Sequence, residues 1–293
     1  MKHVIEFTKA SGAGNDFVLI DNMDGRLQLD MGQLARALCS RRFGVGADGL
    51  LLLEQSPKAD FFMRYHNADG SYGGMCGNGG RCVARYAYLR GIGQSTMTFV
   101  ALDHLYNAVI IGDHVSLTMK DPIDYRSSIQ VPLNGRTIEG SFINTGSPHF
   151  VLFEEDIEGI DVDRLGHEIR KSALFSPEGT NVNFVRVVSP TMIEIRTYER
   201  GVECETLACG TGAVASAVVS AMEKQFSSPV KVRVRSGEEL LVKFEQTDGD
   251  FRDVNLQGSA HFLFNGSLLY DSEQNSIEDI EVSPPVLSSR EIR

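Results

Sequence analysis

The sequence predicts an α+β fold of two pseudo-symmetric domains. We expect each domain to be a mostly antiparallel or mixed, barrel-like β-sheet wrapped around a central helix, with the active site in the interdomain cleft. Three observations predict this fold: an internal repeat at one gapless offset, short aliphatic segments bounded by turn residues, and two cysteine-glycine corners that each precede a helical segment. The chain of 293 residues is long enough for two domains of ordinary size.

The internal repeat has an offset of 133 residues (209 − 76 = 133). Separated features of the two halves share this offset without a gap, and that agreement indicates an internal duplication. The matched pairs are Phe17 with Phe150, Gly46 with Gly179, Tyr65 with Tyr198, and Cys76 with Cys209.

Both halves show the same order of predicted elements. An extended segment comes first, and a turn with glycine then leads to a second strand, a helix, two further strands, and a cysteine-glycine corner with its own helix. Short turns between the strands favour antiparallel or mixed sheets. The segments are 4–7, 17–21, 31–41, 49–54 and 61–66 in the first half, and 141–144, 150–153, 162–171, 183–188 and 192–198 in the second.

The helices after the two corners are expected to lie inside their sheets. The segment GAVASAVVSAMEK, residues 212–224, is small and apolar on nearly all sides, which is typical of a buried helix. The segment RCVARYAYLRG, residues 81–91, ends at Gly91, a residue suited to the position after a helix.

The predicted domains are residues 1–126, completed by a strand near 262–270, and residues 127–261. The remaining residues, 271–293, are acidic and contain proline, so we expect a frayed or loosely docked extension.

Composition excludes several classes of partner. The net charge is −11 and no basic stripe is visible, which argues against nucleic acid and against an anionic membrane surface. No apolar run is long enough for a membrane span, and the N-terminal segment lacks the apolar core of a signal peptide. We therefore expect a cytoplasmic protein with reduced thiols, because its five cysteines do not form a disulfide framework.

The two corners, MCGNGGRC at 75–82 and ACGTGA at 208–213, each place a cysteine at the start of a helix. The N–H groups at a helix N-terminus lower a thiol pKa and bind anions, and glycines let the backbone approach a carboxylate closely. Two such corners facing each other across a cleft suit inversion of a stereocentre. One thiolate would remove an α-proton and the opposite thiol would return a proton to the other face.

Other interpretations of the cysteines and glycines are weaker. Cys39, Cys82 and Cys204 are expected to be small buried packing residues. The absence of a C-x-x-C pair disfavours zinc, and cysteine-protease chemistry leaves the second corner unexplained. A disulfide between the two corner cysteines would mark oxidative inactivation. The segment GVGADG, residues 44–49, satisfies G-x-G-x-x-G, but a helix precedes it and a strand follows, which excludes a dinucleotide site.

Five segments together carry a resemblance to a known family. They are FTKASGAGNDFVLID (7–21), NADGSYGGMCGNGGRC (67–82), NTGSPHFV (144–151), EGTNVNFV (178–185) and TYERGVECETLACGTGA (197–213). The sequence resembles the diaminopimelate epimerases, which use neither pyridoxal phosphate nor a metal. Their wider fold superfamily includes proline racemases and phenazine-biosynthesis-type isomerases.

The resemblance implies a role for each matched residue. Cys76 and Cys209 would be the acid–base pair, with Cys209 as the proton acceptor in the LL-to-meso direction. The N–H groups of Gly77, Asn78, Gly210 and Thr211 would hold the α-carboxylate. The rest of the substrate would be bound by Asn15, Asn67, Asn181 and Arg200, while Glu199 and His149 would line the pocket near the reacting amino group, with Ser147 in support.

The resemblance also implies a homodimer, no cofactor, and a place in the synthesis of lysine and peptidoglycan precursors. The sequence departs from some members of the family at three positions. Ser147 stands where many have Asn, Gly49 where some have a Gln ligand, and Cys204 where Asp is frequent. Two alternatives stay open: a racemase or isomerase of the same fold that acts on another amino acid, and a binding protein that retains the pocket residues.

Overall fold

The computed structural model describes residues 1–133 and 135–285, which contain four α-helices and eighteen β-strands. The chain divides into two compact units. One comprises Met1–Leu117 together with the chain from Gly258 onward, and the other comprises Thr118–Gln257. The sequence-based boundaries were 126 and 261, whereas the chain passes between the units at 117/118 and 257/258.

The first unit contains two helices and nine strands of the described residues. The helices are α1 (Met31–Cys39) and α2 (Gly77–Leu89). The strands are β1 (Lys2–Gly12), β2 (Asn15–Asn22), β3 (Gly49–Glu54), β4 (Phe61–Asn67), β5 (Thr96–Ala101), β6 (His104–Ile111), β7 (His114–Thr118), β17 (His261–Asp271) and β18 (Ser276–Ser283).

The second unit contains the remaining helices and strands of the described part. The helices are α3 (Val162–Arg170) and α4 (Gly210–Lys224). The strands are β8 (Ile123–Leu133), β9 (Arg136–Asn144), β10 (Pro148–Phe153), β11 (Asn181–Ser189), β12 (Met192–Glu199), β13 (Cys204–Thr206), β14 (Val230–Arg233), β15 (Glu239–Thr247) and β16 (Asp250–Ser259).

The pairing of strands repeats from one unit to the other. In the first unit β17 pairs antiparallel with β1, β1 with β2, and β2 runs parallel to β3; β3 then pairs antiparallel with β4, which runs parallel to β5. In the second unit β8, β9, β10, β11, β12 and β14 follow the same sequence of antiparallel and parallel pairings. The repeated pattern bears out the predicted duplication and the predicted mixed sheets.

In each unit one helix packs against several of the strands. α2 contacts β1, β2, β3, β4 and β6, and α4 contacts β9, β10, β11, β12, β14 and β15. Ten residues of α4, from Gly212 to Ala221, are buried. This confirms the prediction that a helix with apolar residues on nearly all sides is buried. α2 ends at Leu89, and Gly91 follows with a φ of 75°, as expected for a glycine after a helix.

The other two helices pack against the same sheets through amphipathic faces. In α1 the side chains of Leu34 and Leu38 are fully buried, and Asp30 caps the helix by accepting a hydrogen bond from the Gln33 N–H. In α3 Leu165 and Ile169 are buried in a cluster of apolar residues within the second unit. Both helices begin where predicted, and each ends one or two residues earlier.

The expectation of a frayed extension is wrong for residues 276–283. These residues form β18, which pairs antiparallel with β17 from Asn265↔Ser283 to Asp271↔Ser276. Backbone hydrogen bonds to an open sheet edge do not require an apolar sequence, so an acidic strand can occupy that position. Residues 286–293 lie outside the described part. Among the described helices, none is long and apolar enough to cross a membrane.

Candidate active site

The two cysteines occupy equivalent positions with nearly the same backbone. Cys76 is the residue before α2, with φ −114° and ψ 118°, and Cys209 is the residue before α4, with φ −118° and ψ 111°. Both carbonyls accept the first hydrogen bond of their helix, from Gly80 at 2.7 Å and from Ala213 at 2.9 Å. Each thiol therefore lies beside first-turn N–H groups that have no acceptor within the helix.

The two sulfur atoms differ in their contacts. Cys76 is partly exposed, and its Sγ accepts a hydrogen bond from the Gly79 N–H at 3.5 Å. Cys209 is buried, and its Sγ lies 3.5 Å from the hydroxyl of Thr211. The sequence repeat thus gives the same backbone twice, whereas these contacts of the two sulfur atoms differ.

In the first unit Asn78 connects the Cys76 corner to Asn15. The Asn78 amide is buried and donates a short hydrogen bond to Asn15 Oδ1, while Asn15 Nδ2 donates to Asp48 at 3.0 Å. Arg41 holds the other oxygen of Asp48 at 2.7 Å. The structure therefore brings Asn15 and Asn78 together, and an ion pair behind them fixes the orientation of the Asn15 amide.

Asn67 lies at the end of β4, in the turn that precedes the Cys76 corner. Its side chain donates to Ser71 Oγ at 3.0 Å, and its N–H donates to the Ser71 carbonyl at 2.9 Å. Its described hydrogen bonds thus shape this turn. At Gly49, on the neighbouring strand β3, an added Cβ would lie 2.4 Å from the Tyr65 ring and 2.6 Å from the His66 carbonyl. Packing therefore explains why glycine, rather than glutamine, stands at this position.

In the second unit Asn181 is the centre of the predicted substrate-binding group. It is 3% exposed. Its amide donates to Ser147 Oγ at 2.9 Å and to the Pro148 carbonyl at 2.8 Å, and its Oδ1 accepts from the Arg200 N–H at 2.9 Å. Both amide hydrogens are used inside the protein, so Asn181 holds Ser147 and the backbone of Arg200 in place.

Arg200 and Glu199 leave the end of β12 in a partly buried environment. The Arg200 guanidinium donates to the Glu178 carbonyl at 3.1 Å. The Glu199 carboxylate accepts from Thr206 Oγ1 at 3.0 Å, and burial raises its pKa above the usual value despite that bond. The second unit therefore offers a guanidinium and a carboxyl group of raised proton affinity on consecutive residues at the end of β12.

His149 is fully buried and lies between α4 and β11. Its Nε2 is 2.9 Å from Thr211 Oγ1, and its Nδ1 is 3.1 Å from Asn183 Nδ2. Burial, with a smaller effect of the positive charge of Arg200, lowers the pKa of His149 to about 3. The ring is therefore neutral at pH 7. It contacts the Cys209 corner through the hydroxyl group of Thr211.

Sequence reasoning missed Asn183 and Asp48, which orient predicted site residues. Asn183 is fully buried within β11, among the apolar residues Val182 and Phe184. A polar amide in the middle of an apolar strand needs a partner, and that mismatch was the available signal. Asp48 stood in the rejected glycine motif, where nothing distinguished it from an ordinary turn residue.

The remaining cysteines follow the prediction except at one position. Cys39 and Cys82 are buried as expected, and burial raises the pKa of Cys39 to about 12. Cys204 is exposed, so its assignment as a buried packing residue is wrong. It begins the three-residue strand β13 directly after a turn, where few neighbours cover it. Across the described residues, no three His, Cys, Asp or Glu side chains are grouped so as to hold a metal ion.

Comparison with known proteins decides the family. The sequence profile described as "Diaminopimelate epimerase" matches residues 7–104 and 141–261. The chain belongs to the diaminopimelate epimerase family. It is 45% identical over 262 residues to the diaminopimelate epimerase of Chlorobaculum tepidum, covering 88% of this chain and 99% of that protein. It is 43% identical over 276 residues to that of Aquifex aeolicus, covering 90% and 98%.

Solved structures of other proteins share the fold of this chain. A phenazine biosynthesis protein of the PhzF family from Bacillus anthracis matches with a TM-score of 0.70 at 14% identity, covering 90% of this chain and 99% of that one. A probable proline racemase from Agrobacterium radiobacter matches with a TM-score of 0.66 at 16% identity, covering 89% and 92%. These similarities confirm the predicted two-domain α+β fold of this epimerase-family chain.

Proposed function

We propose that this chain is an isomerase that converts LL-2,6-diaminopimelate to meso-2,6-diaminopimelate by two-base proton transfer between Cys76 and Cys209. The observation that carries the proposal is the pair of cysteines with matching backbone angles at the first residues of two helices. Membership of the family supports the substrate. The reaction would supply precursors of lysine and peptidoglycan.

The chemistry needs one base and one acid on opposite faces of the α-carbon. Cys209, as thiolate, takes the α-proton of the LL isomer, and the Cys76 thiol then gives its proton to the other face of the carbanion. The protons balance, since one thiol is consumed and one is formed, and the reverse reaction exchanges the two roles. No electron transfer occurs, so the two thiols need no redox partner.

The backbone N–H groups at the N-termini of α2 and α4 would stabilise the carbanion. The N–H groups of Gly77, Asn78, Gly210 and Thr211 are the first in α2 and α4, where the helix dipole favours negative charge. Charge that develops on the α-carboxylate during proton removal is stabilised by such preoriented donors.

The distal amino-acid centre calls for a carboxylate clamp and an ammonium acceptor. Arg200 can bind the distal carboxylate in bidentate fashion, with its backbone fixed by Asn181. The oxygens of Asn15 and Asn67 suit the distal ammonium group. Glu199 would lie near the reacting amino group of the substrate.

The test is conversion of LL-diaminopimelate by the purified, reduced protein, followed by separation of the stereoisomers. We expect meso-diaminopimelate to form until the two isomers reach equilibrium, and we expect Cys76→Ala and Cys209→Ala each to abolish conversion. Proline, glutamate and lysine are assayed in parallel. Turnover of one of these with none of diaminopimelate would assign the chain to another amino acid, and no turnover of any would contradict the proposal.

A cytoplasmic homodimer is part of the same proposal and is supported by the resemblance to the family. Sedimentation equilibrium measures the oligomeric state, and we expect twice the mass of one chain. Fractionation of the source cells measures the location. A monomer or a membrane-associated protein would contradict this part of the proposal and leave the reaction untouched.

A further inference from the structure

A continuous line of hydrogen bonds leads from the buried interior of the second unit to the sulfur of Cys209. It begins at Thr197 Oγ1, which donates to Asn183 Oδ1 at 3.0 Å, and it continues from Asn183 Nδ2 to His149 Nδ1 at 3.1 Å. His149 Nε2 lies 2.9 Å from Thr211 Oγ1, which lies 3.5 Å from Cys209 Sγ. Thr197, Asn183 and His149 are at most 2% exposed, so solvent does not compete for the bonds among these three side chains. The two bonds made by Thr211 are partly buried.

The direction of each bond follows from the fixed orientation of the Asn183 amide. Its oxygen accepts from the Thr197 hydroxyl, and its nitrogen donates to the Phe150 carbonyl at 3.3 Å, a partner that can only accept. The second hydrogen of the amide therefore points at His149 Nδ1, which must be the acceptor. A neutral imidazole that accepts at Nδ1 carries its proton on Nε2.

The same reasoning extends to the hydroxyl of Thr211. The Nε2–H of His149 donates to Thr211 Oγ1, so the hydroxyl proton of Thr211 points elsewhere, and Cys209 Sγ is the neighbouring acceptor. A hydrogen bond donated to a thiolate favours the charged form.

We propose that Asn183 and His149 are positioning residues that aim the hydroxyl proton of Thr211 at Cys209 Sγ and so stabilise the Cys209 thiolate. This deepens the proposed function, on which its meaning for catalysis rests. His149 then acts through Thr211 on the proton-accepting thiol. The low pKa of His149 is consistent with a ring that stays neutral, and Arg200 is the charged group whose field reaches it.

The Cys76 corner lacks these residues, although its backbone matches. At the offset of 133, Thr211 corresponds to Asn78 (211 − 133 = 78) and Asn183 to Leu50 (183 − 133 = 50). The Asn78 side chain is engaged with Asn15 and with Arg81 at 2.8 Å, and Cys76 Sγ receives a backbone N–H instead. The threonine and the asparagine of the Cys209 corner are therefore not repeated at the corresponding positions of the Cys76 corner.

The experiment measures the thiol pKa of Cys209 without substrate. Cys76→Ser and Cys204→Ser remove the other partly exposed and exposed thiols, and the ultraviolet absorbance of the thiolate is followed against pH. The curve of the same protein with Cys209→Ser is subtracted. Thr211→Val, which removes the hydroxyl at nearly constant volume, should raise the pKa of Cys209 by about one to two units. Thr211→Ser keeps the hydroxyl and should leave it close to the parent value.

A matched control lies in the same corner. Thr145 is 1% exposed and donates its hydroxyl to the Thr211 carbonyl at 2.9 Å, so Thr145→Val removes a buried bond to the same residue without touching the Thr211 side chain. We expect no change in the pKa of Cys209. His149→Leu should raise that pKa as Thr211→Val does, and His149→Gln, whose amide can still donate, should restore it in part.

The outcomes separate this inference from the proposed function. An unchanged pKa in folded Thr211→Val, or an equal rise in Thr145→Val, would overturn the inference whether or not the chain epimerises diaminopimelate. Conversely, the pKa result stands if diaminopimelate is not turned over. With both corner cysteines present, the acid limb of the kcat/KM pH profile should move to higher pH in Thr211→Val but not in Thr145→Val.

Discussion

The third residue of each active-site helix offers a matched pair of substitutions, Gly79→Ala and Gly212→Ala. The two glycines correspond at the offset of the repeat (212 − 79 = 133). An added Cβ at Gly79 would meet the methyl ends of Leu51 at 3.0 and 3.4 Å, whereas at Gly212 it would meet Asn183 Oδ1 at 2.5 Å. The same chemical change therefore encounters a flexible side chain in one unit and a fixed amide in the other.

The magnitudes follow from these contacts. Alanine is favoured over glycine in a helix by about 1 kcal/mol, which offsets the small displacement of Leu51. At Gly212 the two atoms must part by 0.9 Å to reach ordinary contact (3.4 − 2.5 = 0.9). Asn183 cannot yield without loosening its bonds to Thr197 and His149. Overpacking of this kind costs about 1–3 kcal/mol, and a lost hydrogen bond adds about 1 kcal/mol.

We expect the free energy of unfolding of Gly79→Ala to lie within about 1 kcal/mol of the wild-type value. For Gly212→Ala we expect it to be lower by about 1–3 kcal/mol. Urea denaturation followed by circular dichroism measures the difference, since the chain has no tryptophan. Gly212→Ala should also raise the thiol pKa of Cys209, because Asn183 no longer fixes His149. Equal stability changes in the two variants would refute the assignment of Asn183 as a rigid part of the corner.

Three further predictions concern the second unit. Ser216 Oγ is buried in α4 with no hydrogen-bond partner among the described residues, whereas Ser220 Oγ donates to the Ser216 carbonyl at 2.7 Å. Ser216→Ala should raise the free energy of unfolding by about 1 kcal/mol and Ser220→Ala should not, as measured in urea; the opposite order would contradict the prediction. The unfolded state binds a proton at His149 below pH about 6.5, and the folded state only near 3, so stability is lost as pH falls between these values. His149→Gln should reduce the slope of stability against pH by up to about 1.4 kcal/mol per pH unit in that window, and an unchanged slope would show a charged ring. Arg200→Lys keeps the charge but loses bidentate geometry, so KM for diaminopimelate should rise about tenfold with kcat less affected; an unchanged KM would exclude the clamp.

Much of the fold could be predicted because sequence features that are ambiguous alone occur twice at the same offset. A single Cys-Gly corner is ambiguous, but two corners at one offset with Phe17 and Phe150 in the same register predict two similar sheets. The alternation of antiparallel and parallel pairs was foreseen only as a mixed sheet, since pairing depends on contacts distant in sequence. The strand at 276–283 was missed because its acidic residues conceal it, and the backbone bonds that pair it with β17 are not revealed by the side-chain pattern.

Sequence motifs selected the candidate site residues but gave no information on the contacts between them. Sequence motifs named His149 and Asn181 as residues near the substrate. In the structure Asn181 donates its two amide hydrogens to Ser147 Oγ and to the Pro148 carbonyl, and His149 Nε2 lies within hydrogen-bond distance of Thr211 Oγ1. Hydrogen-bond direction depends on which atoms meet in three dimensions, and no spacing along the chain encodes it.

The central claim is that one thiol removes the α-proton and a different thiol returns one. Its most direct test is the isotopic composition of the meso product formed from LL-diaminopimelate in deuterated water at low conversion. Two-base transfer between Cys76 and Cys209 predicts one deuteron at the inverted carbon of the product and almost none in the remaining LL isomer. Product that retains the original proton would mean that a single base removes and returns it, and would contradict the account.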